Sequence, residues 1–219
     1  MAWERQRGLS CAATLAYRAR LDRADPERMP DKLEFRLVHY PEPILRKVAQ
    51  PVARFDEELA RTVEGMFDLM RRSNGVGLAA PQVGLDQRVL VLNPTGDEKD
   101  ALALVNVVIL ERSGPETSFE EGCLSFPEIY AEVRRPERCK ISAFAPDGTV
   151  IEREFDGFTS RIIQHEYDHL EGVLLVDRMT PAEKLKHKSA LEELVTRYKR
   201  ARPAEVAAQA AEREGARKE

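Results

Sequence analysis

The sequence lacks most features of a secreted scaffold, a membrane protein or a nucleic-acid-binding protein. Three cysteines in 219 residues are too few, and odd in number, for a disulfide framework, and they fit a reducing compartment. No apolar run approaches the roughly 20 residues that span a bilayer. The formal net charge of -4 provides no overall basic face for nucleic acid. We therefore expect no membrane partner and no specific DNA.

The composition is that of a soluble globular protein, with 42% hydrophobic and 33% charged residues. We expect a variable N-terminal extension over 1–32, one main domain over 33–180, and a C-terminal helix with a charged tail over 181–219. The extension carries arginines but no clean apolar segment, which argues against a secretory signal. We expect a bacterial cytoplasmic protein, with an organellar location as the alternative.

Local patterns predict an α+β fold. Asp56 is placed to cap a helix that runs to Arg72, and a second helix is expected over 160–171 with Ser160 or Thr159 as its N-cap. Gly75 to Gly84 is expected to be a loop. Apolar or turn-flanked segments predict strands over 88–93, 101–111, 138–144 and 149–155, and a final helix over about 181–201. Strands in antiparallel groups with few helices favour α+β over alternating βαβ units.

The strongest single motif is His165-Glu166-Tyr167-Asp168-His169, an HExxH sequence within the second predicted helix. Residues four apart share a helix face, so His165 and His169 can bind one metal ion. Glu166 is placed to move a proton of metal-activated water. The motif can also arise by chance on an ordinary helix.

A catalytic metal site needs a third protein ligand and an open position. A thermolysin-like peptidase would take Glu192 or Glu193 from the final helix. The better candidate is Cys123, in Glu121-Gly122-Cys123-Leu124-Ser125, because a thiolate with two imidazoles suits Zn(II) or Fe(II). Taken alone, Cys123 is better interpreted as a small buried thiol.

Three segments together resemble the peptide deformylase family. Gly75 to Gln82 resembles the family motif GxGLAAxQ, Glu121 to Ser125 resembles EGCLS, and Gln164 to Leu170 resembles QHExDHL. The motifs occur in the family's order, and the resemblance extends over about 33–179. Three motifs in order are far more specific than HExxH alone.

The resemblance implies removal of the formyl group from the N-terminal formylmethionine of newly made polypeptides. It implies one divalent metal ion held by Cys123, His165 and His169, with Fe(II) in the cell and Zn(II), Ni(II) or Co(II) as substitutes. It implies antiparallel sheets packed around a central metal-binding HExxH helix, and formylmethionyl nascent peptides as partners.

The resemblance also implies roles for the remaining site residues. Glu166 would be the general base and then the acid, while Gln82 and the backbone N–H of Leu124 would form the oxyanion hole. The backbones of Gly77 and Gly122 would bind around the formyl group. Four apolar residues are candidates for the methionine pocket or, equally, for plain core: Val76, Phe119, Phe158 and Ile162. We further expect Arg161 to be a partly exposed residue that pairs with Glu121.

Other functions remain open at this point. One rival is an HExxH metallopeptidase with a late glutamate ligand, and others are an inactive deformylase-like binding protein and a structural metal protein. The last is disfavoured because structural zinc sites are usually closed by four ligands. The lysines after position 183 also allow contact between the C-terminal helix and the ribosome, although intermixed glutamates favour a solvated helix face.

Overall fold

The computed structural model describes residues 33–215, with side chains described as far as residue 201. The predicted extension over 1–32 lies outside the described residues. The described helices are α1 (Glu57–Arg72), α2 (Gly157–Leu170), α3 (Leu175–Arg178), α4 (Pro181–Lys186) and α5 (Lys188–Gly215). Short 3-10 helices cover Pro43–Arg46, Ala80–Val83 and Glu98–Asp100. No helix of the described part is long and apolar enough to cross a membrane.

The strands are β1 (Gly77–Ala79), β2 (Val89–Leu92), β3 (Leu102–Cys123), β4 (Phe126–Phe144) and β5 (Val150–Phe155). They form one five-stranded antiparallel sheet in the order β1-β2-β3-β4-β5. The expected α+β class is therefore confirmed. Several sheets were expected, but the described residues place all five strands in one sheet.

The two faces of the sheet are covered by different helices. On β2, Val89 and Val91 pack in a cluster with α1 residues such as Met66, whereas Leu90 and Leu92 pack in a cluster with α2 residues. Burial on both faces explains why this strand is apolar throughout. Helix α1 begins as predicted, because the Asp56 side chain accepts a hydrogen bond from the Leu59 N–H at 3.2 Å.

Helix α2 begins earlier than the sequence predicted. Its N-cap is Asp156, which follows β5 directly. Gly157 adopts φ +52° at this junction, which lets the chain turn directly from β5 into the helix. The helix therefore begins before Thr159 and Ser160, the two predicted N-caps. Ser160 is fully buried inside the helix, and its hydroxyl accepts from Gln164 Nε2 at 3.1 Å instead of capping.

The long hairpin of β3 and β4 extends well beyond the predicted strands. Residues 113–123 pair with 126–138, and the hairpin ends in a tight turn at Cys123 and Phe126. The turn between β4 and β5 matches the prediction, with Gly148 at φ +83° and its N–H donating to Ala145 O at 2.9 Å. The predicted final helix is instead two helices, α4 and α5, separated at His187.

Candidate metal centre and substrate cleft

The hairpin end and helix α2 bring together three side chains that could hold a metal ion. The ligand atoms of Cys123, His165 and His169 all lie within 4.8 Å of one another, and Cys123 Sγ is 3.2 Å from His169 Nε2. Bonds of about 2.0–2.3 Å in a tetrahedral site require ligand atoms this close. Cys123 ends β3, and the two histidines follow each other by one turn of α2, as their spacing predicted.

Glu121 orients one of these ligands. Its Oε2 lies 2.9 Å from His165 Nδ1, so an Nδ1–H donated to the carboxylate leaves His165 Nε2 free for a metal. Burial raises the pKa of Glu121, but hydrogen bonds from His165 and Arg135 outweigh this and hold the pKa well below its usual range. The carboxylate is therefore ionised and remains an acceptor.

Glu121 belongs to a buried ion network that ties the hairpin to α2. Arg135 Nε and Nη2 donate to the two Glu121 oxygens at 2.7 and 2.9 Å, and Arg135 Nη1 donates to Asp168 at 2.8 Å. Arg161 Nη1 also donates to Glu121, at 2.7 Å, and Arg178 donates to Asp168. The predicted pairing of Arg161 with Glu121 is confirmed. Its predicted partial exposure is wrong, because Arg161 is buried under Phe119 and also donates to Thr117.

Glu166 lies beside the three ligands in an environment that suits proton transfer. It is buried, and its Oε2 has no hydrogen-bond partner among the residues that the structure describes. Burial raises its pKa to about 7, near the value at which a general base works best in neutral solution. Burial, and next the neighbouring His165, lower the pKa of His169 well below its ordinary value, so His169 is neutral and able to act as a ligand.

The Gln82 side chain is held with its amide N–H₂ group toward Cys123. Its Oε1 accepts from the Ala79 N–H at 2.7 Å, which fixes the orientation of the amide. Its Nε2 then lies 3.6 Å from Cys123 Sγ and 3.4 Å from Ser125 Oγ. The 3-10 helix Ala80–Val83 that carries Gln82 follows β1 directly, so the predicted loop over 75–84 is only partly a loop.

A cleft of about 620 Å³ opens from these residues. Its lining includes the segment with Val76 and Gly77, Gly122 with neighbouring β3 residues, and the α2 residues His165 and Glu166. All four candidate pocket residues line the cleft. Val76, Phe119 and Phe158 are 41 to 52% exposed and so are not core, whereas Ile162 is buried and also packs in the core cluster under α2.

Comparison with known proteins identifies the family of this chain. A model of the polypeptide deformylase family matches residues 35–185. The chain belongs to the polypeptide deformylase family. The predicted family, and its hydrolysis of the N-formyl group of newly made polypeptides, are thereby confirmed.

Relatives in the family come from bacteria, plants and a parasite. The peptide deformylase of Thermotoga maritima is 44% identical over 167 residues, which are 76% of this chain and 99% of that protein. Peptide deformylase 1B of Arabidopsis thaliana, named chloroplastic/mitochondrial, is 48% identical over 66% of this chain and 54% of its own length. A crystal structure of the Plasmodium falciparum deformylase matches with a TM-score of 0.73 and 41% identity, covering 75% of this chain and 97% of that chain.

Some residues around the candidate site were not found by sequence reasoning. Arg135 and Arg178 complete the ion network, and Tyr130 lines the cleft. A signal for Arg135 was present, because it continues the alternation of buried residues Ile129, Ala131 and Val133 along β4. The positions proposed for a late glutamate ligand do not approach the site: Glu192 and Glu193 are exposed on α5, and Glu193 pairs with Arg197 there.

Proposed function

We propose that the chain hydrolyses the formyl group from formylmethionyl peptides with Cys123, His165 and His169 as the ligands of one divalent metal ion. The observation that carries the proposal is the convergence of these three ligands with Glu166 and Gln82 at the base of one cleft. The donor set fits such an ion, because His165 is oriented by Glu121 and a Glu166 oxygen that has no partner among the described residues is buried beside it. In this proposal α2 is the central metal-binding helix.

The ion supplies Lewis acidity and makes water a nucleophile at neutral pH. Glu166 takes the proton of the attacking water on its carboxylate and later delivers a proton to the leaving amine. The overall reaction adds water across the C–N bond of the formamide and yields formate and a free N-terminal amine. The proton that Glu166 takes from water is the one that the leaving amine needs, so the reaction requires no other proton donor.

Gln82 Nε2 and the backbone N–H of Leu124 donate to the oxygen of the formyl group as negative charge develops on it. Each well-placed donor of this kind contributes on the order of 3 kcal/mol to transition-state stabilisation. Gly77 and Gly122 present backbone groups to the peptide from the two walls of the cleft. Val76, Phe119, Phe158 and Ile162 receive the methionine side chain, which needs an unbranched apolar slot.

The metal identity, cellular location and ribosome contact are further parts of the proposal. A Cys/His₂ set accepts several ions, and we propose Fe(II) as the native one, with Zn(II), Ni(II) or Co(II) able to replace it. We expect the enzyme to act where formylated chains are made, in bacterial cytoplasm or in an organelle.

Exposed cations on α5, among them Lys188, Lys199 and Arg200, would supply ribosome contact.

Truncation would test the ribosome contact poorly, because Leu194 of α5 is buried with Phe126, a residue that lines the cleft. A charge-reversed triple variant, Lys188→Glu, Lys199→Glu and Arg200→Glu, removes the cations without removing Leu194. Reduced co-sedimentation with ribosomes at low salt is expected. Unchanged co-sedimentation would eliminate the contact through these residues.

The test of the catalytic proposal is formate release from formyl-Met-Ala-Ser. The protein is purified without oxygen, loaded with Fe(II), and compared with Glu166→Ala loaded in the same way. We expect the variant to keep its metal and to lose about 100-fold or more of kcat/KM. Equal rates from both proteins would refute the role of Glu166, and no formate from metal-loaded wild type would refute the proposed activity. Cys123→Ala, His165→Ala and His169→Ala should each lower the bound metal content.

A further inference from the structure

The sheet carries exposed apolar side chains on the face that α1 covers only in part. Val105 pairs with Phe144 across β3 and β4, and both pack in the cluster that contains α1 residues. Val108 pairs with Ser142, and Val150 pairs with Phe144, so both valines lie on this same face. They are 45 and 56% exposed, so this part of the face is apolar and open to solvent.

Leu110 enlarges this apolar area. It follows Val108 by two positions, at a bulge where β3 shifts register against β4, and it is 52% exposed. The partly exposed Phe144 connects these β3 residues with Val150. We call Val108, Leu110, Phe144 and Val150 the outer patch. A contiguous exposed patch, unlike a single exposed leucine, marks an interaction site.

Carboxylates border the outer patch on the same face. Glu111 and Glu154 pair with Lys140 from its two sides, and Glu152 pairs with Ser142. Lys140 Nζ lies 2.9 Å from a Glu152 oxygen, and this hydrogen bond, together with Glu111 and Glu154, raises the pKa of Lys140. Three carboxylates thus surround one ammonium group.

The outer patch therefore fits an apolar partner that carries positive charge. The next basic residue on this face of β4, Arg138, lies opposite Ser113, toward the hairpin end and away from Val150. A second copy of the same face would bring carboxylates against carboxylates, an arrangement that opposes association. The patch is consequently a poor match for itself.

The first residues of the chain have the composition that such a partner needs. Residues 1–23 contain five arginines against Glu4 and Asp22, so their formal net charge is +3. Because the whole chain carries -4, the remaining residues carry -7 between them. Larger apolar residues are interspersed with the arginines: Trp3, Leu9, Leu15, Tyr17 and Leu21.

The other end of the chain does not match the patch. Residues 202–219 contain four basic and four acidic residues, and Val206 is their only apolar residue larger than alanine, proline apart. They have neither the net positive charge nor the large apolar side chains that the outer patch requires.

The N-terminal extension also joins the domain on the correct side of the sheet. A Cβ on Gly65 of α1 would lie 2.9 Å from the Leu33 backbone oxygen and 2.8 Å from the Phe35 ring, so the chain enters the domain against α1. Residues 24–32 can span up to about 30 Å when extended. The three strands of the patch are about 10 Å across, so the segment before residue 24 can reach it.

We propose that residues 3–23 dock on the outer patch of the same chain, with their apolar side chains on Val108, Leu110 and Val150 and their arginines beside Glu111 and Glu154. The docking does not depend on the proposed function. Individual contacts can be weak, because a tethered segment is presented to its site at an effective concentration on the order of millimolar.

Trp3 provides the test, because it is the single tryptophan of the chain. Its fluorescence quenching by acrylamide is measured in the Zn(II)-loaded full chain and in a free peptide of residues 1–24, which gives the value for an exposed ring. We expect a quenching constant severalfold lower in the full chain, with emission at shorter wavelength. Salt at about 0.5 M should raise the constant toward that of the peptide, because acrylamide is neutral and only the arginine contacts are screened.

Two double variants assign the protection to the patch. Val108→Ser with Leu110→Ser removes exposed apolar groups, and Glu111→Gln with Glu154→Gln removes charge but leaves the Lys140 pair with Glu152. Each should raise the quenching constant of Trp3 toward the peptide value. Far-UV circular dichroism and urea unfolding establish that each variant is folded.

Matched controls change similar residues elsewhere. Val48 is 56% exposed and adjoins Ala49, which packs in the α2 cluster, so Val48→Ser should leave Trp3 protected. Glu120→Gln with Glu132→Gln removes two facing charges from the hairpin and should also leave it protected.

A Trp3 quenching constant equal to that of the free peptide would overturn the proposal. Protection that persists unchanged in both patch variants would overturn it as well, by placing Trp3 elsewhere. Protection that rises with protein concentration would assign the segment to a neighbouring copy and refute docking within one chain. Formate release plays no part in these measurements, so failure of the docking leaves the proposed function intact.

Discussion

At the scale of single residues, a glycine sets the position of Glu166, the proposed general base. A Cβ on Gly77 would lie 2.7 Å from Ile162 Cγ2 and 2.9 Å from Glu166 Cδ, so any side chain there must displace Glu166. We predict that Gly77→Ala lowers kcat/KM for formyl-Met-Ala-Ser about 100-fold or more, because the carboxylate leaves its place beside the metal ligands. Steady-state formate release measures this effect.

A double-mutant cycle tests whether the loss acts through Glu166. If it does, Gly77→Ala should cost little further activity in a Glu166→Ala background. A full additional 100-fold loss in the double variant would show that Gly77 acts on the peptide and not on the base.

Burial of Glu166 also predicts a pH dependence of stability in the metal-free protein. Its pKa in the folded state is raised to about 7, so the folded state favours the protonated carboxyl. The associated stability is complete below the unfolded pKa and is lost as pH rises through 7. Glu166→Gln, which cannot ionise, should therefore gain stability over wild type between pH 4.5 and 8, by on the order of 3 kcal/mol.

Urea unfolding of the metal-free proteins at pH 5 and pH 8 measures this gain. Glu132→Gln on the exposed face of β4 is the matched control. An equal pH-dependent gain in the control, or none in Glu166→Gln, would contradict the argument.

Sequence reasoning predicted only some of the charged contacts near the site. The Glu121–Arg161 pair was predicted, but the burial of Arg161 was not, because a charged residue is expected at the surface. Arg135 and Asp168 lie 33 positions apart and meet only once the hairpin folds onto α2. No local pattern encodes such a contact.

The same limit appears at the scale of elements. The first part of β3 was predicted from its apolar residues, but its continuation over 112–123 contains almost none, since one face meets solvent and the other meets the ion network. Strand β1 was taken for a loop because glycine, alanine and proline surround it. Helix α1, with a capping Asp56 and a clear apolar stripe, was predicted from end to end.

The end of α2 is held in place by a second glycine. Gly172 adopts φ +69°, and a Cβ there would lie 2.6 Å from the backbone oxygen of Arg46. We predict that Gly172→Ala destabilises the fold by about 2–4 kcal/mol, from left-handed strain and a backbone clash together. It should also weaken metal binding, because the turn that carries His169 must move.

Gly157, at the other end of α2, is the matched control. It has a similar φ of +52°, but a Cβ there meets nothing within 4 Å. Gly157→Ala should therefore show only the strain, about 1 kcal/mol by denaturant unfolding. Equal losses in the two variants would mean that the Arg46 contact contributes nothing.

At the scale of the whole molecule, the proposed metal site would join two elements that other contacts already join. Cys123 belongs to the hairpin and the histidines to α2, and the Glu121–Arg135–Asp168 network links the same two elements. A third apolar cluster connects the hairpin to the C-terminal helices through Phe126 and Leu194. We therefore expect the architecture to persist without the ion, unlike small zinc domains that unfold without it.

Metal removal should consequently abolish activity without unfolding the protein. After chelation we expect unchanged far-UV circular dichroism and a cooperative thermal transition at a lower midpoint, since an ion bound only by the native state stabilises it by mass action. Adding Co(II) should restore the midpoint and produce thiolate-to-metal absorption, and Cys123→Ser should lose both responses. Cys139→Ser, a change at a buried cysteine outside the site, should lower the midpoint of both forms but keep the Co(II) absorption. A chelated protein with no cooperative transition would show instead that the ion holds the hairpin on α2 and that the ion network is too weak to do so.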